Sequence, residues 1–211
     1  MPPLALAIVF QLTTINAPQV APETVLAFAQ AESGMNPLAI HDNDSRRSYA
    51  PNSISDAVTL AERLLSFGHS IDLGLLQISH RNLVRTGLTI ENAFDPAESV
   101  RAGGLILVDA YQRCDGTPDR LRCMASIYNT GHPVRGIRNG YAARVWTAAD
   151  QIVPAIKKFD HSPPPPPPRN SCGQPPPSWD GYAVAAYELC QRRSNGLVFA
   201  NYQQISGFFG F

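Results

Sequence analysis

The chain has 211 residues, of which 44% are hydrophobic, so a domain with an ordinary buried core is expected. Its 17 basic and 17 acidic residues balance to a formal net charge of zero. Nucleic-acid-binding surfaces usually carry an excess of basic residues, and the balance therefore argues against nucleic acid as the main partner.

Residues 1–20 form an apolar N-terminal segment that begins MPPLALAIVF. The segment lacks the positively charged start of a secretory signal peptide. Its apolar run ends near Leu12 and is too short to span a bilayer, so no stable membrane span is predicted. Two interpretations stay open: a poor or truncated leader, or the first helix of the folded domain.

A helix is predicted from Pro22 to Ser33. Its apolar side chains recur at the spacing of one helical face, and they are Val25, Leu26, Phe28 and Ala29. Gly34 is a suitable residue to end this helix, and the pair Asn36-Pro37 prevents its continuation.

Glu32 lies on the apolar face of this helix, four residues after Phe28 and seven after Val25. It also lies in the last helical turn, where the helix macrodipole carries about −0.5 charge. Burial and the dipole both disfavour the carboxylate, so both raise its pKa toward the range that a general acid needs. The alternative is a half-buried carboxylate at a helix end, paired with an arginine.

Further helices are predicted from capping residues and apolar spacing. Their predicted bounds are Ser55 to Gly68 with Ser55 as the N-cap, Asp95-Pro96 to about Gln112, about Pro118 to Tyr128, and Tyr141 to about Val153. The stretch from His69 to Ser79 is less regular and fits a short strand or hairpin. A mainly α domain over residues 21–160 is therefore predicted.

Proline dominates the composition after residue 160. Residues 163–168 are six consecutive prolines, and residues 175–177 are three more. Such a run adopts an extended polyproline II conformation, so residues 161–178 are predicted to be a stiff linker. Residues 179–211 form an aromatic C-terminal tail, which is either a docking segment or a disordered extension.

The four cysteines fall into two local pairs, Cys114 with Cys123 and Cys172 with Cys190. They contain no CxxC pair and have no histidine at zinc-finger spacing, so no metal site and no cofactor are expected. Two disulfides in an oxidising compartment fit the count, and four reduced thiols are the alternative.

Four short motifs occur in order along the middle of the chain. They are Glu32-Ser33-Gly34 followed by Asn36-Pro37, Gly74-Leu75-Leu76-Gln77-Ile78, Tyr128-Asn129-Thr130-Gly131, and Gly140-Tyr141. This ordered set, within about residues 20–150, resembles the soluble lytic transglycosylase family. The chain departs from the family pattern at Leu76, usually Met, at Ile127, usually Ala, and in the two alanines after Tyr141. Residues 69–74 and the Tyr128 motif are similar to the branch attached to type IV secretion and conjugation machines.

The resemblance implies a lysozyme-like helical fold with a substrate groove. It implies an enzyme that cleaves the β-1,4 bond between N-acetylmuramic acid and N-acetylglucosamine in peptidoglycan, leaving a 1,6-anhydromuramic end. It further implies a periplasmic protein that opens the wall locally, with peptidoglycan glycan strands as substrate and secretion or conjugation components as partners.

By the same resemblance Glu32 is the catalytic residue, first as acid and then as base. The substrate-binding and positioning residues implied are Ser33, Gln77, Tyr128, Asn129 and Tyr141. Two alternatives stay open. A hydrolytic muramidase of the same fold becomes the better interpretation if Asp42, Asp44 or Asp72 faces Glu32 across the groove, because hydrolysis generally uses two carboxyl groups. The other alternative is a catalytically idle glycan-binding module.

Overall fold

The computed structural model describes residues 2–156 and residue 187. The helices of this part are α1 Leu6–Asn16, α2 Pro22–Ser33, α3 Ile54–Ser66, α4 Leu83–Thr86, α5 Pro96–Gln112, α6 Arg120–Thr130, α7 Arg135–Arg138 and α8 Tyr141–Ile156. The prediction of a mainly α domain is confirmed. Apart from residue 187, the predicted linker and tail lie outside the described residues, so the bounds of the predicted segments stay a prediction.

The N-terminal apolar segment contains a helix that packs into the domain. Val9 and Thr13 of α1 are fully buried, and α1 lies against α2 and α5. The Leu4 backbone N–H donates to the Met35 carbonyl at 2.8 Å, just beyond the end of α2. The residues therefore form a first helix in this fold. Within residues 2–156, no helix combines the length and apolar character needed to cross a membrane.

Helix α2 is the central helix of the domain. All five residues from Val25 to Ala29 are buried, because α1, α5 and α8 surround the helix. Gly34 ends it with a left-handed backbone (φ 60°), and its N–H bonds the carbonyls of Ala29 and Gln30. The predicted bounds of this helix, Pro22 to Ser33, are confirmed. Glu32 lies in its last turn, where the residues from Gln30 to Ser33 are only partly buried.

Two predicted helix starts are wrong by two residues. Helix α3 is capped by Ser53 rather than Ser55: the extended Ser53 accepts the Asp56 backbone N–H at 3.1 Å, which places Ser55 inside the first turn. Helix α6 begins at Arg120 rather than Pro118, because Asp119 accepts the Arg122 N–H and acts as the cap.

Of two other predicted helix boundaries, the start of α5 is correct and the end of α8 was placed too early. Helix α5 starts at Pro96 with Asp95 as its cap, as predicted. Helix α8 continues past the predicted end at Val153 to Ile156, with Pro154 inside it. Its last turn buries Ile152 and Ile156, and that burial offsets the hydrogen bond that a proline removes from a helix.

A small antiparallel sheet completes the domain. Its strands are β1 Ile40–Asp42, β2 Arg47–Tyr49, β3 Ile71–Leu73 and β4 Ile78–Ser79, in the order β2-β1-β3-β4. The hairpin of β3 and β4 confirms the expectation for residues 69–79. Gly74 starts its turn with φ 75°, and a Cβ there would lie 2.1 Å from the Ala93 carbonyl oxygen. Only glycine fits, so the glycine of the second motif fixes the hairpin against the loop before α5.

Cys114 and Cys123 form a disulfide that joins the end of α5 to α6. Their Cα atoms lie 5.9 Å apart, and the two cysteines are nine positions apart in the sequence. The predicted pairing of Cys114 with Cys123 is therefore confirmed. The predicted pairing of Cys172 with Cys190 lies outside the described residues.

Replacing both cysteines by alanine (C114A/C123A) is expected to lower the thermal midpoint. Closing a loop of this length stabilises a fold by about 2.5 kcal/mol, which corresponds to roughly 5–10 °C for a chain of this size. Thermal unfolding followed by circular dichroism, without reductant, measures the shift. Alanine suits both positions because the two side chains are buried. An unchanged midpoint would contradict a stabilising role for this bond.

Candidate active site

A polar cleft opens where the end of α2 meets the β3–β4 hairpin and the end of α6. Its lining residues come from both halves of the domain and are Glu32, Asn43, Asp72, Gln77, Ile78, Ser79, Asn82, Ile106, Tyr128 and Asn129. Four of the six predicted site residues therefore meet in one cleft: Glu32, Gln77, Tyr128 and Asn129.

Glu32 presents its carboxyl to this cleft from the last turn of α2. Burial raises its pKa from an ordinary 4.5 to about 7, and the charge of Asp72 acts in the same direction. The hydrogen bond from Tyr141 and the charge of Arg144 lower it, but less than burial raises it. No arginine is ion-paired with Glu32 in the described part of the chain, which disfavours a helix-end salt bridge. A neutral carboxylic acid near pH 7 is the state that proton donation requires.

Tyr141 is the direct partner of Glu32. Its hydroxyl donates a hydrogen bond to Glu32 Oε1, although the two residues are 109 positions apart. The ring is 1% exposed and lies 6.2 Å from the Phe28 ring, centroid to centroid. Burial raises the pKa of the Tyr141 phenol well above its usual range, so the phenol remains a donor at neutral pH.

Tyr128 lies in the same aromatic cluster but bonds a different group. Its ring meets Phe28 edge-on at 4.9 Å, and its hydroxyl donates to the Leu76 carbonyl at 2.7 Å. The hydroxyl therefore holds the Gly-Leu-Leu-Gln turn rather than the Glu32 carboxyl. Burial also raises the pKa of this phenol well above its usual range, with the charge of Glu32 adding to the effect.

Ser33 does not line the cleft. Its hydroxyl is 2.7 Å from the Leu75 carbonyl oxygen and 3.2 Å from the Ala29 carbonyl oxygen. It thus ties the end of α2 to the β3–β4 turn, which fixes the separation between Glu32 and the second motif. Ser33 therefore supports the end of α2 that carries Glu32, and a contact of its hydroxyl with the substrate stays a prediction.

Gln77 lines the cleft with a strained backbone, since its φ of 47° is in the left-handed region that non-glycine residues rarely adopt. Its side-chain amide Nε2 donates to the carbonyls of Ala39 at 3.0 Å and Gly74 at 2.8 Å. Both N–H groups are therefore used within the protein. Its Oε1 has no hydrogen-bond partner among residues 2–156, so the cleft receives an acceptor from Gln77.

Of the three aspartates weighed from the sequence, only Asp72 reaches the cleft. Asn43 Nδ2 donates to Asp72 Oδ2 at 2.9 Å, and burial raises the pKa of Asp72 above its usual range. Asp42 is fully buried at the end of β1, where its bonds to Ser45 and His69 hold the pKa of that carboxyl well below its usual range. Asp44 accepts the Ser70 backbone N–H at 2.6 Å and does not line the cleft.

Sequence reasoning missed four lining residues: Asn43, Ser79, Asn82 and Ile106. Asn43 lies in a polar run between two aspartates, and Ser79 directly follows the second motif, so their positions carried some signal. No feature of the sequence pointed to Asn82 or Ile106, because neither residue belongs to a motif. Among residues 2–156, no group of three histidine, cysteine or acidic side chains is placed to hold a metal ion.

Comparison with known proteins finds similarity over the region of the chain that contains the cleft residues. Residues 12–143 match the family model described as Transglycosylase SLT domain. Protein virB1 of Agrobacterium fabrum is 38% identical over 143 residues, which cover 66% of this chain and 58% of that protein. Type IV secretion system protein virB1 of Brucella suis biovar 1 is 34% identical over 158 residues, covering 67% and 66%. The matched part of the chain thus spans less than two thirds of the length of these relatives. No solved structure matched.

Proposed function

This chain belongs to the transglycosylase SLT domain family, and on that basis we propose that it is a lytic transglycosylase acting on peptidoglycan. The bond proposed for cleavage is the β-1,4 link between N-acetylmuramic acid and N-acetylglucosamine. The observation that carries the proposal is the buried carboxyl of Glu32, which is neutral for an appreciable fraction of molecules at pH 7 and faces a polar cleft.

In the first step Glu32 acts as an acid. Its carboxyl gives a proton to the glycosidic oxygen, the bond from that oxygen to the anomeric carbon breaks, and N-acetylglucosamine leaves as the alcohol. Positive charge develops on the muramic ring. Glu32 is now a carboxylate, which stabilises that charge at close range.

In the second step the same group acts as a base. The C6 hydroxyl of the muramic residue attacks the anomeric carbon, and Glu32 takes up the hydroxyl proton. A 1,6-anhydro ring forms, no water is consumed, and Glu32 returns to its protonated state. One carboxyl serves both steps because the first step leaves it ready for the second.

The neighbouring side chains hold Glu32 and the sugar in place. Tyr141 donates to Glu32 Oε1, which leaves the other carboxyl oxygen to carry the transferred proton. Gln77 offers an acceptor to the cleft, and Asn129, which also lines it, is assigned to the acetamido group of the sugar. Tyr128 and Ser33 hold the turn between β3 and β4 through its backbone carbonyls.

Hydrolysis is the second candidate reaction, and Asp72 is the observation that favours it. The carboxyl of Asp72 lines the same cleft as Glu32, and its charge raises the pKa of Glu32. A second carboxylate beside the acid could activate water or stabilise the sugar cation. The catalytically idle alternative is disfavoured, because the raised pKa of Glu32 costs stability and an inactive binding module has no use for it.

Digestion of purified sacculi in ¹⁸O-labelled water separates the two reactions. A transglycosylase releases muropeptides that end in unlabelled 1,6-anhydromuramic acid, whereas a hydrolase releases reducing ends that carry ¹⁸O. We expect anhydro ends from the wild type and from Asp72→Asn, with the variant slower by about 10- to 100-fold through lost charge stabilisation. Labelled reducing ends that disappear in Asp72→Asn would overturn the proposal and establish Asp72 as the second catalytic group.

We further propose that the protein works in the periplasm and opens the wall locally for a type IV secretion or conjugation system. The support is the similarity to the Brucella suis protein, whose name places that protein in a type IV secretion system. The proposed organisation is an N-terminal segment at 1–20, the catalytic domain at 21–160, the linker at 161–178 and the tail at 179–211. Components of that system are the proposed partners, besides the glycan strands.

A further inference from the structure

Asn139 joins two parts of the cleft through one side chain. It lies between α7 and α8, next to Gly140 (φ 82°), whereas Gly131 (φ 68°) ends α6, and the chain between the two glycines returns to the end of α6. Its Nδ2 donates to Asn129 Oδ1 at 3.0 Å, and its Oδ1 accepts the Tyr141 backbone N–H at 3.0 Å. Asn129 lines the cleft and Tyr141 bonds Glu32, so Asn139 touches neighbours of both substrate and acid.

The direction of these two hydrogen bonds follows from the backbone. The Tyr141 N–H can only donate, so the oxygen of the Asn139 amide must face it, and the NH₂ group of Asn139 must face Asn129. Asn129 therefore presents its own oxygen to Asn139. Its NH₂ group points the other way and has no hydrogen-bond partner among residues 2–156. The two hydrogen bonds thus have fixed directions that begin at the Tyr141 backbone N–H, and they leave the NH₂ group of Asn129 as a donor for the cleft.

We propose that Asn139 is a positioning residue, which orients the Asn129 amide so that its NH₂ group donates to the acetamido carbonyl of the bound sugar. The inference rests on the proposed function and deepens it, since it makes N-acetylation of the glycan a requirement of this cleft. The same side chain accepts the N–H at the first residue of α8, from which the Tyr141 hydroxyl reaches Glu32.

Two substitutions of Asn139 separate orientation from support. Asn139→Asp keeps an acceptor for the Tyr141 N–H but turns the other contact around, because a carboxylate oxygen can only accept. The Asn129 amide must then rotate, and its oxygen faces the cleft. Asn139→Ala removes both bonds, so the Asn129 amide is free to adopt either orientation and the start of α8 loses its side-chain partner.

Binding of an N-acetylglucosamine oligomer and of the same oligomer after de-N-acetylation gives the readout, by calorimetry on the full chain. We expect Asn139→Asp to weaken binding of the acetylated oligomer about tenfold and Asn139→Ala about threefold. Neither should weaken binding of the deacetylated oligomer. The two variants should rank in the opposite order in thermal stability. The thermal midpoint of Asn139→Ala should be lower than that of the wild type by about 2–4 °C, and that of Asn139→Asp should be unchanged.

Asn92 supplies a matched control. Its Oδ1 accepts the Thr89 backbone N–H at 2.6 Å, in a turn that does not line the cleft. Replacing Asn92 by aspartate or alanine should change the thermal midpoint at most, with the affinity for both oligomers unaltered.

The affinity ranking decides the inference, because a purely supporting residue would make alanine the worse substitution in both measurements. Equal weakening of both oligomers, unchanged affinity in Asn139→Asp, or no binding by the wild type would each overturn it. Cleavage of sacculi by the wild type is measured separately. Selective binding without cleavage would refute the proposed enzyme and leave the role of Asn139 standing.

Discussion

Glu32→Gln is expected to reduce cleavage of purified sacculi by roughly 100- to 10,000-fold, the contribution typical of a positioned general acid. Glutamine keeps the shape of the side chain, and its Oε1 can still accept the Tyr141 hydroxyl. It cannot release a proton to the glycosidic oxygen, however, so only the binding contribution of the cleft remains. Release of soluble muropeptides per unit time, measured at pH 6, gives the result.

The same substitution should raise stability above neutral pH. Glu32 has a pKa of about 7 in the fold and 4.5 when unfolded. Between these values the unfolded chain loses the proton while the folded chain keeps it, so the stability of the wild type falls as pH rises from 4.5 to 7 and then levels. Glutamine does not titrate. We therefore expect the variant to be more stable by about 1–3 kcal/mol above pH 7, a range reduced for the partial exposure of Glu32, and equal below pH 4.

Glu62 provides the control for this experiment. It is an exposed residue of α3 outside the cleft, so Glu62→Gln makes the same chemical change without touching the site. Activity and stability should both match the wild type. Undiminished cleavage by Glu32→Gln would remove Glu32 from the reaction, and an unchanged stability profile would show that its carboxyl is solvated in the fold.

The environment of Glu32 could be predicted from sequence because it depends on local spacing. Residues four and seven positions apart share a helical face, so Phe28 and Val25 place Glu32 beside apolar side chains before any tertiary contact is known. The start of α5 is equally local, since Asp95 and Pro96 are adjacent. Ser53 and Ser55 show the limit: two candidate caps two residues apart cannot be ranked without the backbone conformation, which only Ser53 has in the extended form.

Contacts between distant parts of the chain could not be derived from spacing. The Tyr141 hydroxyl meets Glu32 only after α8 has packed against α2, and the motifs placed the two residues in one site by family resemblance alone. The bond from Asn139 to Asn129 depends on the path of the chain between Gly131 and Gly140, and no spacing in the sequence pairs these two asparagines, although Asn129 belongs to a motif. Strands β1 and β2 have three residues each, too few for an alternation of apolar and polar residues to indicate a strand.

A decline of activity with rising pH is the second large effect expected. The acid form of Glu32 is the form that donates, so the rate should be level well below pH 7, halve near the pKa of about 7, and then fall about tenfold per pH unit. Between pH 7 and 9 the loss is about 50-fold. The profile of kcat/KM reports this pKa for the free enzyme, measured with soluble glycan strands at constant ionic strength.

Replacing Arg144 tests independently whether the pKa of Glu32 controls the decline of activity. Its guanidinium carbon lies 5.2 Å from the centroid of the Tyr141 ring, and its positive charge lowers the pKa of Glu32. Arg144→Gln removes that charge, so the midpoint of the decline should move to higher pH. Arg122→Gln, which removes a cation over Trp146 rather than over Tyr141, should leave the midpoint unchanged. If activity were flat from pH 5 to 9, or if loss of Arg144 moved the midpoint downward, the acid in the reaction would be a different group. A buried carboxyl whose pKa depends on the neighbouring charges explains both the decline near pH 7 and the displacement of its midpoint in Arg144→Gln.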